Sequence, residues 1–139
     1  MKNFTYLLLL VLLFAACKKG DVKPIAMLPC VDTLQHDIVS VNGVTKSLIN
    51  QEISFNINWK AGNNCDKFVN FKQDTINNTI DIKAYASHDS CTVCAINTNA
   101  LKAATYKFKA VKAGTYYLKF YKTGSNPNDL PITDTLLVE

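Results

Sequence analysis

From Asp37 to Glu139 the chain alternates apolar and polar residues with a period of two, leaving only 95–104 ambiguous. A period of two sends successive side chains to opposite faces of a strand, so the pattern specifies sheet and excludes amphipathic helix. Glu52–Lys60 is the clearest case. Ile53, Phe55, Ile57 and Trp59 fall on one face, and Ser54, Asn56, Asn58 and Lys60 on the other.

Further strands are expected at 65–71, 79–86, 105–110, 114–121 and 132–138, separated by turn clusters such as Ala61-Gly62-Asn63-Asn64 and Asn77-Asn78. In 65–71, Val69 and Phe71 share one face and Phe68 takes the other, unless a bulge intervenes. The stretch 95–104 has room for a short helical turn. Short strands spaced about 10–15 residues apart, with turns between, indicate a sandwich or barrel.

Residues 1–20, MKNFTYLLLLVLLFAACKKG, are of another kind. Lys2 precedes an apolar run from Tyr6 to Phe14, too short to cross a bilayer as a permanent helix but suited to an export signal. Leu13-Phe14-Ala15-Ala16-Cys17 resembles the lipobox of bacterial lipoproteins, with Phe14 in place of the usual small or branched residue. That resemblance implies cleavage before Cys17 and a diacylglycerol on its thiol. The alternative is an ordinary secretory signal in which Cys17 is incidental. The expected organisation is a signal at 1–16, a tether at 17–35 interrupted by Pro24 and Pro29, and one domain at 36–139.

All fifteen basic residues are lysine, set against eleven acids. They are dispersed, which describes a solvated basic surface. Nucleic-acid recognition recruits the forked guanidinium of arginine, so its absence argues against that partner. Lys18 and Lys19 can rest on anionic headgroups. The acidic residues that related surface-exported lipoproteins carry after the cysteine are missing, so a periplasm-facing outer-membrane attachment is expected over an exterior one.

Beyond Cys17 the chain holds Cys30, Cys65, Cys91 and Cys94. An even number in an exported chain is most simply a pair of disulfides. The favoured arrangement joins Cys65 to one member of the Cys91/Cys94 pair and Cys30 to the other. Cys91-Thr92-Val93-Cys94 also has the spacing of a redox motif, but lacks the strand-to-helix setting that lowers a thiol pKa. His88, Cys91, Cys94 and Cys65 could in principle ligate a metal, although disulfides compete for the same sulfurs. His36 has no evident partner and is expected to be solvated.

No Gly-x-Ser-x-Gly, His-Glu-x-x-His or phosphate-cradling glycine loop occurs, and the aspartates lack calcium-loop spacing. No catalytic residue, metal or cofactor is therefore assigned. Tyr85, Tyr117 and Tyr121 fall opposite the core-facing residues and offer a platform for sugar or protein contact. Cross-strand packing on a half-exposed sheet is the plainer explanation. Asp32-Thr33-Leu34, Asp74-Thr75-Ile76 and Asp134-Thr135-Leu136 match a short O-glycosylation pattern.

Lys112-Ala113-Gly114-Thr115-Tyr116-Tyr117-Leu118-Lys119-Phe120 resembles the E–F corner of immunoglobulin-like domains. In that corner a tyrosine near the start of a strand bonds its hydroxyl to upstream backbone. Leu118 stands where antibody domains have a cysteine. Together with Asn64-Cys65, Phe68, Phe71, Tyr106-Lys107-Phe108 and Ile132-Thr133-Asp134-Thr135, the segment makes 41–138 similar to small, uncharacterised lipoproteins of the Bacteroidota with one immunoglobulin-like domain. The resemblance implies an all-β, immunoglobulin-like antiparallel sandwich of about seven strands, exported and lipid-anchored. It brings no activity with it. The expectation is a non-catalytic envelope module, bound to membrane through its lipid, with a protein or glycan ligand. A thiol-redox or metal-binding protein using Cys91 and Cys94 is the alternative.

Overall fold

The computed structural model describes residues 30–89, 93–95, 100–123 and 129–139. Nine strands run through them: β1 (Val31–His36), β2 (Ile38–Asn42), β3 (Lys46–Ser47), β4 (Glu52–Lys60), β5 (Lys67–Ile76), β6 (Thr79–Asp89), β7 (Leu101–Lys109), β8 (Gly114–Phe120) and β9 (Ile132–Val138). A three-stranded sheet, β2-β4-β7, faces a six-stranded sheet built on β6, β8 and β9, with β1, β3 and β5 around them. The chain is an all-β sandwich. The signal and Cys17 lie outside the described residues.

The strand count exceeds the expected seven or so because β1, β2 and β3 lie ahead of the strands that the sequence marks out, the first of which is β4. β3 has two residues, and β1 begins with four exposed residues in a row. Backbone pairing makes β1 a strand, since it matches β6 antiparallel from Val31↔Asp89 to His36↔Ala84. β1 thus lies mostly inside the segment expected to be tether. Nor is the sandwich wholly antiparallel: β6 pairs with β8, and β3 with β9, in parallel.

The β4 alternation is realised in full, with Ile53, Phe55, Ile57 and Trp59 buried and their neighbours exposed. Opposite them Ile80, Ile82 and Ala84 of β6, Tyr116, Leu118 and Phe120 of β8, and Leu136 and Val138 of β9 complete the main core. Trp59 centres a smaller cluster with Ala61 and Ala86, against which Phe68 packs. A register shift between Phe68 and Asn70 marks a bulge in β5. The extra residue lets Phe68 and Phe71 meet at a tilt, 4.7 Å between centroids, while Val69 turns outward, so the two rings share a side that simple alternation denies them. β7 begins at Leu101, making the end of the ambiguous stretch strand.

The tyrosine corner forms as expected: the Tyr116 hydroxyl donates to the Lys112 carbonyl at 2.9 Å. At the other end of the core, a side chain on Gly43 would place its Cβ 2.0 Å from Cδ1 of Phe55. That ring is fully buried and packed on Tyr106 and Phe120, so it has nowhere to retreat. Gly43→Ala is expected to cost about 1–3 kcal/mol, as overpacking does. Urea unfolding checks this: the midpoint should fall while the slope stays unchanged.

Candidate functional site

The outer face of the six-stranded sheet gathers the three tyrosines. In β6, Ile80, Ile82, Ala84 and Ala86 point inward, so Asp81, Lys83 and Tyr85 point outward. In β8 the inward residues are Tyr116, Leu118 and Phe120, leaving Tyr117 and Lys119 outward, followed by Tyr121. The parallel register sets Thr79 beside Tyr117 and Asp81 beside Lys119. One step further, the Tyr121 N–H donates to the Ile82 carbonyl at 2.9 Å, bringing Tyr121 next to Lys83. Tyr85 lies two residues along β6 from Lys83, within side-chain reach of Tyr121 across the diagonal. Tyr117 to Tyr85 spans six residues of strand, about 20 Å.

Lysines lie beside two of the rings. The Lys72 ammonium sits 4.3 Å from the Tyr85 ring centroid, and the Lys83 ammonium 5.8 Å from that of Tyr121. Lys72 and Lys83 are register partners, a like-charge pair that would repel if the aromatic faces did not attract each cation. Burial, then the charge and hydrogen bond of Asp81, raise the Tyr121 hydroxyl above its ordinary pKa. Tyr121 therefore stays a neutral donor to Asp81. Tyr117 is 46% exposed, and Tyr85 and Tyr121 are half-buried. These interleaved cations and the Asp81 contact depend on cross-strand register, which the sequence pattern alone does not supply.

The cysteines assemble a different structure, at the end of the sandwich. Cys65 is joined to Cys94, with Cα atoms 5.9 Å apart, and Cys30 is disulfide-bonded as well. Cys91 lies outside the described residues. Because Cys65 and Cys94 share one bond, neither offers a thiolate for a metal set with His88. No group of three or more His, Cys, Asp or Glu among the described residues is placed to hold a metal ion.

His88 is committed elsewhere. Its Nδ1 lies 3.0 Å from Oδ1 of Asp66, a carboxylate with no solvent exposure, and 3.1 Å from Nδ2 of Asn63. One ring nitrogen cannot both donate and accept, and the buried carboxylate makes donation to Asp66 the favoured arrangement. The other Asp66 oxygen accepts the Gly62 and Asn63 N–H groups at 2.7 and 3.1 Å. Asn63 Oδ1 in turn accepts the Cys65 and Asp66 N–H groups at 2.8 and 2.9 Å. The Lys102 ammonium closes the loop from outside by donating to the carbonyls of Asn64 and Asp66. This network went unrecognised in the sequence, although an Asn and an Asp three apart in a turn cluster are the signal for such side-chain-to-backbone bonding.

His36, expected to be solvated, is half-buried: its Nδ1 is 3.0 Å from the Lys60 carbonyl and its ring meets Trp59 edge-on at 5.2 Å. The folded β1 carries it there. Thr33, Thr75 and Thr135 are all exposed.

Burial alone would raise the Asp66 pKa, but the His88 and backbone hydrogen bonds outweigh it and hold the carboxyl below its usual range. The stabilisation is then fully present above the unfolded value of about 3.9 and is lost as pH falls through the lower folded value. Asp66→Asn, which turns a donor toward donors, should cost roughly 1–3 kcal/mol at pH 7. The difference from the unsubstituted protein should shrink below about pH 4 in urea unfolding at matched pH.

No curated protein and no solved structure matches the chain. Residues 55–138 match the family model of the ORF11 beta-sandwich domain, from within β4 to the end of β9, leaving β1–β3 ahead of the matched region. With more than half its length matched to that family's model and a sandwich as its structure, this chain belongs to the ORF11 beta-sandwich family.

Proposed function

We propose that the protein is a non-catalytic, lipid-anchored module of the cell envelope that binds a protein or glycan ligand on the tyrosine face of its six-stranded sheet. The observation that carries this reading is the convergence of Tyr85, Tyr117 and Tyr121 on one outward face of neighbouring strands, with lysines beside Tyr85 and Tyr121. Tyrosine offers contact area at low entropic cost and a hydroxyl for orientation, which suits a face built for contact. The lipobox-like segment ending at Cys17 supports the anchor. Lys18 and Lys19 favour attachment close to a bilayer, in an outer membrane and facing the periplasm. A thiol-redox or metal role for Cys91 and Cys94 is the weaker reading, because Cys94 is bonded to Cys65 and not to its motif partner.

Two experiments test the reading. Replacing Cys17 with serine should move the protein from the membrane fraction to the soluble one. Retention in membranes after a high-salt wash would sink the lipid anchor. For the face, glycan arrays and pull-down from envelope extracts with the full-length protein should give a ligand. The triple variant Y85A/Y117A/Y121A should bind it at least tenfold more weakly, as loss of clustered aromatic contacts does. Equal binding by the triple variant would remove the tyrosine face from the function.

A further inference from the structure

Each sheet ends in an open strand on the side where the Tyr106 hydroxyl of β7 donates to Gln73 of β5. Among the described strands, β7 pairs only with β4 and β5 only with β6. An unpaired edge is a template for another strand, and the charges along it decide which strand can join. β7, LKAATYKFK, carries lysines at 102, 107 and 109 and no acid, so a second copy laid against it meets its own charge. β5, KFVNFKQDTI, carries Lys72 and Asp74 on alternate residues and is self-complementary instead.

The backbone of β6 shows which groups of β5 face the open side. The Asn78 and Ile82 carbonyls accept from the Tyr117 and Tyr121 N–H groups at 2.8 and 2.9 Å, so even-numbered residues here point their backbone groups at β8. The odd-numbered Thr79, Asp81 and Lys83 point theirs at β5, where Ile76, Asp74 and Lys72 oppose them. Backbone direction alternates along a strand, so Phe71, Gln73 and Thr75 present their N–H and C=O groups at the open edge. Side chains alternate as well. Lys72 lies on the outer face, over the Tyr85 ring, and Asp74 shares that face.

The pairing with β6 leaves these charges badly matched. Lys72 opposes Lys83 and Asp74 opposes Asp81, and like charges directly opposite one another destabilise a sheet. Three of the four have relief: Lys72 at the Tyr85 ring, Lys83 at the Tyr121 ring, and Asp81 at the Tyr121 hydroxyl. Asp74 has no hydrogen bond or ion pair among the described residues.

We propose that β5 pairs antiparallel with β5 of a second copy, centred on Gln73, joining two six-stranded sheets into one. The register follows from the charges. A centre at 72 or 74 sets Lys72 or Asp74 against itself, and a centre at 71 or 75 runs the pairing into the bulge or the turn. A centre at 73 sets Lys72 of each copy beside Asp74 of the other, Phe71 opposite Thr75, and Asn70 opposite the exposed Ile76. The outward backbone groups of Phe71, Gln73 and Thr75 then face one another. The twofold axis stands perpendicular to the sheet, so both tyrosine faces lie on the same side. The dimer needs no ligand on that face.

Sedimentation equilibrium of the full-length protein in density-matched detergent should show a monomer–dimer equilibrium at up to about 1 mM protein. K72D and D74K, both at exposed positions, should each weaken association about tenfold or more, because the edge contacts then join like charges. An equimolar mixture of the two variants should recover the dimer, since every mixed contact again joins opposite charges. K72D/D74K should recover it unmixed. In membranes, Q73C should form a disulfide-linked dimer, whereas T75C, about 13 Å from its counterpart in this register, should not. A chain that stays monomeric, its edge left to a strand of another protein, would overturn the proposal. So would association unchanged in K72D and D74K, or a mixture that associates no better than either variant alone.

Discussion

The contact between Phe55 and Phe120 holds the two sheets together. Phe55 belongs to the three-stranded sheet and Phe120 to the six-stranded one, and their rings lie 6.0 Å apart with no solvent exposure on either. Tyr106 stands edge-on to Phe120 at 6.0 Å and to Phe71 at 5.5 Å, so a continuous run of rings links β4, β8, β7 and β5. Each such pair adds about 0.5–1.5 kcal/mol beyond the area it buries. More important is that the rings fix the spacing of the sheets, and Gly43 must be bare for Phe55 to occupy its place.

The six-stranded sheet depends on β6 sharing one edge between two partners. Its first residues pair in parallel with β8 through Ile82↔Phe120, and from Ala84 onward the same edge pairs with β1. The junction falls where β8 ends and where the chain crosses from β1 to β2. Asp37 sits in that crossing and accepts both the N–H and the hydroxyl of Thr123, while Gln35 donates to the Lys122 carbonyl at 3.1 Å. A carboxylate at 37 can serve there because these hydrogen bonds, with Lys60 and Lys122, overcome its burial and hold its pKa low. Residues 31–36 are thus part of the sheet, which explains how a lead-in with little apolar character forms a strand.

The elements legible in the sequence are those whose two faces meet different surroundings. β4 and β9 have the bounds that alternation alone predicts, because each buries one face and wets the other. β1 was illegible for the opposite reason: its side chains are nearly all exposed, and only its backbone is used. The bulge that reconciles Phe68 with Phe71 required knowing where β6 lies. Among the candidate residues, the common face of Tyr85, Tyr117 and Tyr121 was readable from parity within each strand, whereas their adjacency was not. It follows from the parallel pairing of β6 with β8, for which no local pattern exists. The Asn63, Asp66 and His88 network joins residues up to 25 apart and forms only when the β4–β5 turn folds against the end of β6.

A sandwich that places its stability between the sheets leaves the outward residues free to vary. That freedom makes the composition of the outer face informative. A broad sheet face with aromatic rings and no charges would invite a second sheet to pack on it, since exposed apolar patches promote association. Here each half-buried ring has a cation over it: Lys72 over Tyr85 and Lys83 over Tyr121. Lysine stems cover apolar area while their ammonium groups stay hydrated, so a dry, flat partner must strip both cations to dock. The lysines beside the tyrosines therefore disfavour the docking of another apolar sheet.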